Sequence, residues 1–82
     1  MLTLYQFEGC PYCQEVRQKL SEMEMTYLTV CVPREHALRE VVVRVSGQSS
    51  VPVLTDGDLV LSDEQDIIAY VTHTYALGGA RV

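Results

Sequence analysis

The chain has 82 residues, a formal net charge of −5 and 48% apolar residues. This length supports one small domain, and the composition is typical of a globular protein rather than a disordered one. Six lysine and arginine residues are too few to follow a phosphate backbone or coat an anionic membrane, so we expect neither nucleic acid nor a membrane as a partner.

The start of the chain also bears on its compartment. The segment MLTLYQFEGC has neither the basic start nor the long apolar stretch of a secretory signal. We therefore expect a reducing cytoplasm. In that compartment a Cys-x-x-Cys pair is more often catalytic or metal-binding than a structural disulfide.

The first part of the chain predicts a βαβ unit. Residues 2–7 form a short apolar run that predicts a strand, and an amphipathic helix follows from Pro11. Residues 27–32, YLTVCV, are apolar and β-branched. This pattern predicts a strand buried on both faces of a sheet, in which Cys31 is a small buried hydrophobe.

The segment after Pro33 is ambiguous. Residues 41–43 are three consecutive valines, which fit a strand. However, the apolar positions between residues 38 and 45 have helical spacing, and residues 35–40 are compatible with a helix. We favour a second helix that starts at Pro33.

The last third predicts a hairpin followed by a third helix. Residues 51–55 and 59–61 are short strands, and the Asp-Gly-Asp sequence at 56–58 is a turn between them. Ser62 and Gln65 have the spacing of a capping box, which starts the final helix. The resulting β-α-β-α-β-β-α order predicts an α/β fold, with a four-stranded mixed sheet and helices on both faces.

The CPYC segment at residues 10–13 lies at the start of the first predicted helix. Only the thiolate form of cysteine is nucleophilic, and the free N–H groups of a helix N-terminus favour that form at Cys10. Cys10 would attack a disulfide, and Cys13 would then resolve the mixed disulfide by attacking Cys10. A Cys-x-x-Cys pair in this position is typical of thioredoxin-like redox proteins.

Metal binding is the alternative use of these cysteines. Structural zinc usually needs two clustered pairs of ligands, but Cys31 stands alone, and His36 and His73 are far apart in the sequence. An iron–sulfur cluster shared by two chains through Cys10 is a further alternative. We favour the redox dithiol over both and predict no metal.

Three segments resemble known thiol-handling families. CPYC at residues 10–13 resembles the active site of glutaredoxins, and GQSSVPVL at residues 47–54 resembles the Val-Pro segment of that family. LSDEQDIIAYV at residues 61–71 is similar to the last helix of glutathione S-transferase N-terminal domains. The resemblance implies a glutaredoxin-like domain with the thioredoxin-like fold over residues 1–77, and we expect residues 78–82 to form a flexible tail.

The resemblance also implies a binding groove for a small thiol beside the dithiol. It implies that the bond between Val51 and Pro52 is cis, which exposes the Val51 backbone to the thiol, and that Tyr12 lines the groove. The γ-glutamyl group of the thiol would bind at the start of the last helix, which is formed by Glu64, Gln65 and Asp66. The alternative is that these acidic residues only complement the helix dipole, and that Tyr12 is simply a solvated side chain.

The sequence departs from the glutaredoxin pattern in two places. Phe7 stands where many glutaredoxins have a lysine that aids the thiolate and the glycyl carboxylate, and Ser62 and Asp63 replace two frequent glycines. His36 and Arg39 are candidates for the missing cation, although a solvated helix face is the simpler interpretation of both.

Taken together, these features predict a glutaredoxin-like thiol–disulfide oxidoreductase with a Cys10–Cys13 redox disulfide. It would reduce protein disulfides or mixed disulfides with a small thiol, and its partners would be disulfide-bearing or thiolated proteins. We expect a monomer without a tightly bound cofactor, with glutathione or another low-molecular-weight thiol as co-substrate. The alternatives are a transferase-like thiol-binding or electron-delivery module, and a dimer that bridges an iron–sulfur cluster.

Overall fold

The computed structural model describes residues 1–75, and the predicted tail at residues 78–82 lies outside this described part. The predicted β-α-β-α-β-β-α order is confirmed, and a short 3₁₀ turn, His36–Leu38, precedes the second helix. In chain order the elements are β1 (Leu2–Gln6), α1 (Pro11–Glu22), β2 (Tyr27–Cys31), α2 (Glu40–Ser46), β3 (Val53–Asp56), β4 (Leu59–Leu61) and α3 (Glu64–Tyr75). None of the helices in residues 1–75 has the length and apolar character needed to cross a membrane.

The four strands form one mixed sheet in the order β2-β1-β3-β4. β1 pairs with β2 in parallel and with β3 in antiparallel orientation, so that Leu4 lies between Thr29 and Leu54. β3 and β4 form the predicted antiparallel hairpin, in which Gly57 adopts a φ of 62° that favours glycine. Because β1 is a central strand, the segment that follows it emerges at the middle of one end of the sheet.

Helices α1 and α3 cover one face of the sheet. Successive side chains of a strand point to opposite faces, so Leu2 and Leu4 of β1 face these helices, while Tyr5 faces away. The buried apolar residues of this face are Leu2, Leu4, Val16, Leu20, Met23, Leu54, Ile67 and Val71. We call this set the α1–α3 core.

Helix α2 covers the opposite face with a smaller buried cluster. Its buried members are Val32, Val42 and Val53. Phe7 and Val51, which flank the CPYC segment and the Val-Pro segment, pack against this cluster. We call this set the α2 core, and its position confirms that helices lie on both faces.

The prediction that β2 is buried on both faces is wrong. β2 is an edge strand, and Leu28, Thr29 and Cys31 are exposed. The prediction that Cys31 is a buried small hydrophobe is wrong for the same reason. An apolar strand sequence indicates a strand, but it carries no information about whether a neighbouring strand or helix covers it.

The second helix is confirmed for the ambiguous valines but begins later than predicted. α2 starts at Glu40 instead of Pro33, and Leu38 is 64% exposed, so it contributes nothing to the apolar face. The Arg39 side chain donates hydrogen bonds to the carbonyl oxygens of Pro33 and Arg34, at 2.7 and 2.9 Å. These bonds satisfy the carbonyls of the loop without a helix.

The start of α3 differs from the prediction by one residue. The Asp63 carboxylate, rather than the Ser62 hydroxyl, accepts hydrogen bonds from the backbone N–H groups of Gln65 and Asp66, at 2.8 and 3.3 Å. A carboxylate at this position both caps the helix and complements its dipole.

Candidate active site

Cys10 occupies the N-cap of α1, as the position of Pro11 predicts. Its Sγ accepts a hydrogen bond from the backbone N–H of Cys13 at 3.2 Å, and its own N–H donates to the carbonyl oxygen of Phe7 at 3.2 Å. An N–H group directed at a sulfur atom stabilises negative charge on that atom. The local backbone therefore fixes the orientation of the Cys10 side chain and directs an N–H donor at its sulfur.

The two cysteines differ in accessibility and in acidity. Both are free thiols, but Cys10 retains 5% of its exposure, whereas Cys13 is completely buried. Burial raises the pKa of the Cys13 thiol, and its interaction with Cys10 raises this pKa further. Cys13 therefore stays protonated at neutral pH, and Cys10 is the sulfur that an incoming disulfide can reach.

The bond between Val51 and Pro52 is cis, the configuration that the family resemblance implies. Pro52 is buried, and the Val51 carbonyl oxygen lies 4.0 Å from Cys10 Sγ. The Val-Pro segment and the dithiol are thus brought together from positions 41 residues apart. An extended ligand next to Cys10 would meet the Val51 backbone, which has the polar groups that pair with such a ligand.

The remaining predicted contacts lie around the same end of the sheet. Tyr12, in the first turn of α1, is 57% exposed. β4 returns alongside β3 with Leu61 opposite Leu54, so the start of α3 reaches the end of the sheet that carries Pro52. Glu64, Gln65 and Asp66 form this start, but Asp63 already occupies the N–H groups of Gln65 and Asp66.

Arg39 is neither a solvated side chain nor a cation available to a ligand. It is 2% exposed and donates to the carbonyl oxygens of Pro33, Arg34 and Ser49. Its guanidinium also lies over the Phe7 ring, 5.1 Å from the centroid. The interpretation of Arg39 as part of a solvated helix face is therefore wrong. Sequence spacing could not reveal this, because the acceptors lie in the loops on either side of α2.

His36 remains accessible beside this buried arginine. It is exposed, and its Nδ1 lies 2.9 Å from the Ser49 hydroxyl oxygen. Ser49 lies two residues before Val51, so His36 contacts the segment that leads to the cis proline.

Two arginines that the sequence did not single out flank the dithiol. Arg34 is exposed, and its guanidinium also lies over the Phe7 ring, 5.6 Å from the centroid. It approaches Gly9 so closely that an added Cβ there would be 3.2 Å from its Nη2. Arg17 follows Cys13 by one helical turn and donates to Gln6. The spacing between Cys13 and Arg17 was a usable signal, whereas nothing in the sequence places Arg34 beside Gly9.

Comparisons with known proteins agree with this geometry. Residues 4–79 match the family described as "Glutathione S-transferase, N-terminal domain". The chain is 32% identical over 81 residues to prostaglandin E synthase 2 of Mus musculus, and the match covers 95% of the chain but only 20% of that protein.

Solved transferases have the same fold over this region. Glutathione transferase E6 from Drosophila melanogaster is 31% identical, with a TM-score of 0.81 over 92% of the chain and 35% of the transferase. A glutathione transferase homolog from Drosophila mojavensis with bound glutathione is 26% identical, with a TM-score of 0.83 over 90% of the chain and 35% of the homolog. The chain therefore spans about a third of these structures, and it belongs to the glutathione S-transferase N-terminal domain family, with its thioredoxin-like fold.

Proposed function

We propose that this protein is a glutaredoxin-type thiol–disulfide oxidoreductase. The observation that carries the proposal is the arrangement around Cys10 Sγ, which has the Cys13 N–H at 3.2 Å and the Val51 carbonyl oxygen at 4.0 Å. The first contact favours a thiolate, and the second supplies a backbone edge for the substrate. A buried second thiol follows in the same helical turn.

The reaction proceeds by two thiol–disulfide exchanges. The Cys10 thiolate attacks one sulfur of a substrate disulfide, forms a mixed disulfide and releases the other sulfur as a thiolate, which takes up a proton. Cys13 then loses its proton and attacks Cys10 Sγ, which releases the reduced substrate and leaves a Cys10–Cys13 disulfide. Two molecules of a small thiol restore the dithiol and are themselves oxidised to their disulfide.

Glutathione is the small thiol that the family relation favours. Its cysteinyl part would pair with the Val51 backbone, and its γ-glutamyl group would lie at the start of α3, near Asp66. The exposed guanidinium of Arg34, beside Gly9, would bind the glycyl carboxylate in place of the lysine that Phe7 replaces. Phe7 thus serves as the aromatic surface on which this cation rests.

The proposal is tested by turnover on a glutathionylated peptide, coupled to glutathione, glutathione reductase and NADPH. We expect turnover by the unaltered protein, none by Cys10→Ser, and unchanged turnover by Cys31→Ser, which removes a thiol outside the site. Turnover that survives in Cys10→Ser would overturn the proposal. Absence of turnover in the unaltered protein, while Cys10 is still alkylated rapidly at neutral pH, would remove glutathione as the co-substrate.

A second candidate function is a thiol-binding or partner-specific electron-delivery module without general reductase activity. It is favoured by the family, since the matching domain is the glutathione-related part of larger transferases. Cys13→Ser separates the two functions. A dithiol reductase loses its activity on protein disulfides in this variant, whereas a binding module keeps its affinity for glutathione unchanged.

A further inference from the structure

Arg17 is fixed against the segment that leads into the dithiol. Its Nη1 donates to Oε1 of Gln6, and its Nη2 donates to the carbonyl oxygen of Glu8 at 3.4 Å. Gln6 and Glu8 flank Phe7, whose backbone lowers the pKa of the Cys13 thiol. Arg17 also lies four residues after Cys13 on α1, so the two side chains share one side of the helix.

Gln6 holds this guanidinium without neutralising it. The Gln6 side chain is buried, and its Nε2 donates to the Thr29 hydroxyl at 3.2 Å and to Cys31 Sγ at 3.5 Å, so the amide is fixed at both ends. The carboxylate nearest to Arg17 is that of Glu8, at 3.7 Å, and this side chain is 90% exposed. Water screens such an exposed pair strongly, so the positive charge of Arg17 still acts on the buried neighbourhood.

The buried thiol of Cys13 needs such a charge. Cys13 must become a thiolate to attack a mixed disulfide, yet its burial raises its pKa. Cys10 raises this pKa, whereas the Phe7 backbone and, to a smaller extent, Arg17 lower it, and of these groups Arg17 carries the positive charge. When Cys10 is part of a mixed disulfide, it carries no charge, and the attraction to Arg17 remains.

We propose that Arg17 is a positioning residue for the second exchange: its guanidinium, oriented by Gln6, stabilises the Cys13 thiolate that attacks Cys10. In this step the Cys13 proton passes to water, the Cys13–Cys10 bond forms, and the bond from Cys10 to the substrate sulfur breaks. The substrate leaves as a thiolate and takes up a proton. This inference deepens the proposed function and rests on it for the order of the two exchanges.

The test uses a symmetrical nitrobenzoate disulfide, whose released thiolate absorbs visible light. Mixing it with the reduced protein in a stopped-flow instrument gives two phases, in which Cys10 releases the first thiolate and Cys13 releases the second. The exposed Cys31 would add a third reaction, so all variants carry Cys31→Ser. Because the probe contains no glutathione, the outcome does not depend on which small thiol serves as co-substrate.

We expect Arg17→Met to slow the second phase about threefold at neutral pH and to leave the first phase unchanged. A rise of one pKa unit lowers the thiolate fraction about tenfold, while the greater nucleophilicity of a more basic thiolate recovers about threefold of this. Arg17→Lys, which keeps the charge, should restore most of the rate. Lys19→Met is the matched control, since it removes the same charge from the same helix.

Three results would overturn the inference. These are a second phase of normal rate in Arg17→Met, an equal slowing of both phases, and an equal effect of Lys19→Met. Failure of Arg17→Lys to restore the rate would do the same, because the effect would then not follow the positive charge. Failure of the proposed function appears elsewhere, as absent turnover on the glutathionylated peptide, so the two failures are distinguishable.

Discussion

The two faces of the sheet are stabilised in different ways. The α1–α3 core consists of eight buried apolar side chains, whereas the α2 core has three, all of them valines. Beside these valines the protein buries Arg39, which donates to the carbonyl oxygens of Pro33, Arg34 and Ser49. One face is held by hydrophobic burial, and the other depends on a charge whose hydrogen bonds connect loops.

The two faces contribute differently to the folding free energy and to the position of the residues around Cys10. Cys13 is buried on α1, within the better-packed layer, while Val51 packs against the α2 core. The contact between Cys10 and Val51 thus lies where the two faces meet. We infer that the α1–α3 core supplies most of the folding free energy, and that Arg39 determines the position of the Val-Pro segment.

Truncation of the α1–α3 core should have the largest effect. Leu20→Ala removes a completely buried side chain, and we expect it to lower the free energy of unfolding by roughly 2–5 kcal/mol. Val42→Ala, a truncation on the other face, removes two carbon atoms instead of three and should cost about 2 kcal/mol. Urea denaturation of the two variants measures the difference. Equal losses would contradict the contrast between the faces.

Removal of the Arg39 charge should affect both stability and activity. Arg39→Met leaves the carbonyls of Pro33 and Ser49 without their partner, and we expect a loss of about 2–3 kcal/mol. Because Ser49 lies just before Val51, the folded variant should also turn over a glutathionylated peptide more slowly. Arg39→Lys keeps the charge but not the fork of donors, so its stability and activity should fall between those of the unaltered protein and those of Arg39→Met. Full activity in Arg39→Met would show that the groove does not depend on this residue.

Acid should weaken the hydrogen bonds that two tyrosines of α3 donate to Asp56. The O–H groups of Tyr75 and Tyr70 donate to the Asp56 carboxylate and hold its pKa below the ordinary value. A lowered pKa in the folded state favours folding above the pKa of the unfolded chain, near 3.9, and this contribution is lost as the pH falls through the folded value. We expect about 1 kcal/mol at neutral pH.

The Asp56→Asn variant isolates this contribution from the other titrating groups. Thermal melts between neutral pH and about pH 3 should show the unaltered protein losing its advantage over Asp56→Asn. Parallel melting curves across this range would mean that the tyrosine contacts with Asp56 contribute no pH-dependent stability.

The smallest effect should come from Arg34, at the exposed margin of the α2 face. Arg34→Gln removes a cation beside Gly9, and we expect the KM for glutathione to rise about three- to tenfold, which corresponds to about 1 kcal/mol, with kcat unchanged. Arg44→Gln, on exposed α2 surface, is the control of equal charge change. A fall in kcat without a change in KM would argue against a binding role for Arg34.

The elements with a clear local pattern could be predicted from the sequence. The amphipathic helix after Pro11 and the Asp-Gly-Asp hairpin each carry their signal within a few residues. β2 was misjudged because its apolar sequence fits both a central and an edge strand, and only the pairing of β1 with β3 leaves it at the edge. The exposure of Cys31 follows from that long-range choice.

The residues of the candidate site also differ in whether a local sequence pattern reveals them. Cys10, Cys13 and Pro52 could be singled out from motifs, because the Cys-x-x-Cys and Val-Pro sequences are recognisable in the chain itself. Arg34 and Arg39 could not, since their positions depend on how the loop before α2 folds over Phe7. An arginine that packs on an aromatic ring from a distant part of the chain has no characteristic sequence spacing by which it could be recognised.

Both ends of the described chain contact the side chain of Asp56. The Met1 ammonium lies 3.8 Å from its Oδ1, and the Tyr75 hydroxyl donates to its Oδ2. Leu2 pairs with Asp56, whereas Cys10 follows the other end of β1, so Asp56 and the dithiol lie at opposite ends of the sheet. A linker that tethers the first residue to an electrode would therefore leave Cys10 facing the solution, where the redox chemistry proposed for it could be followed as current.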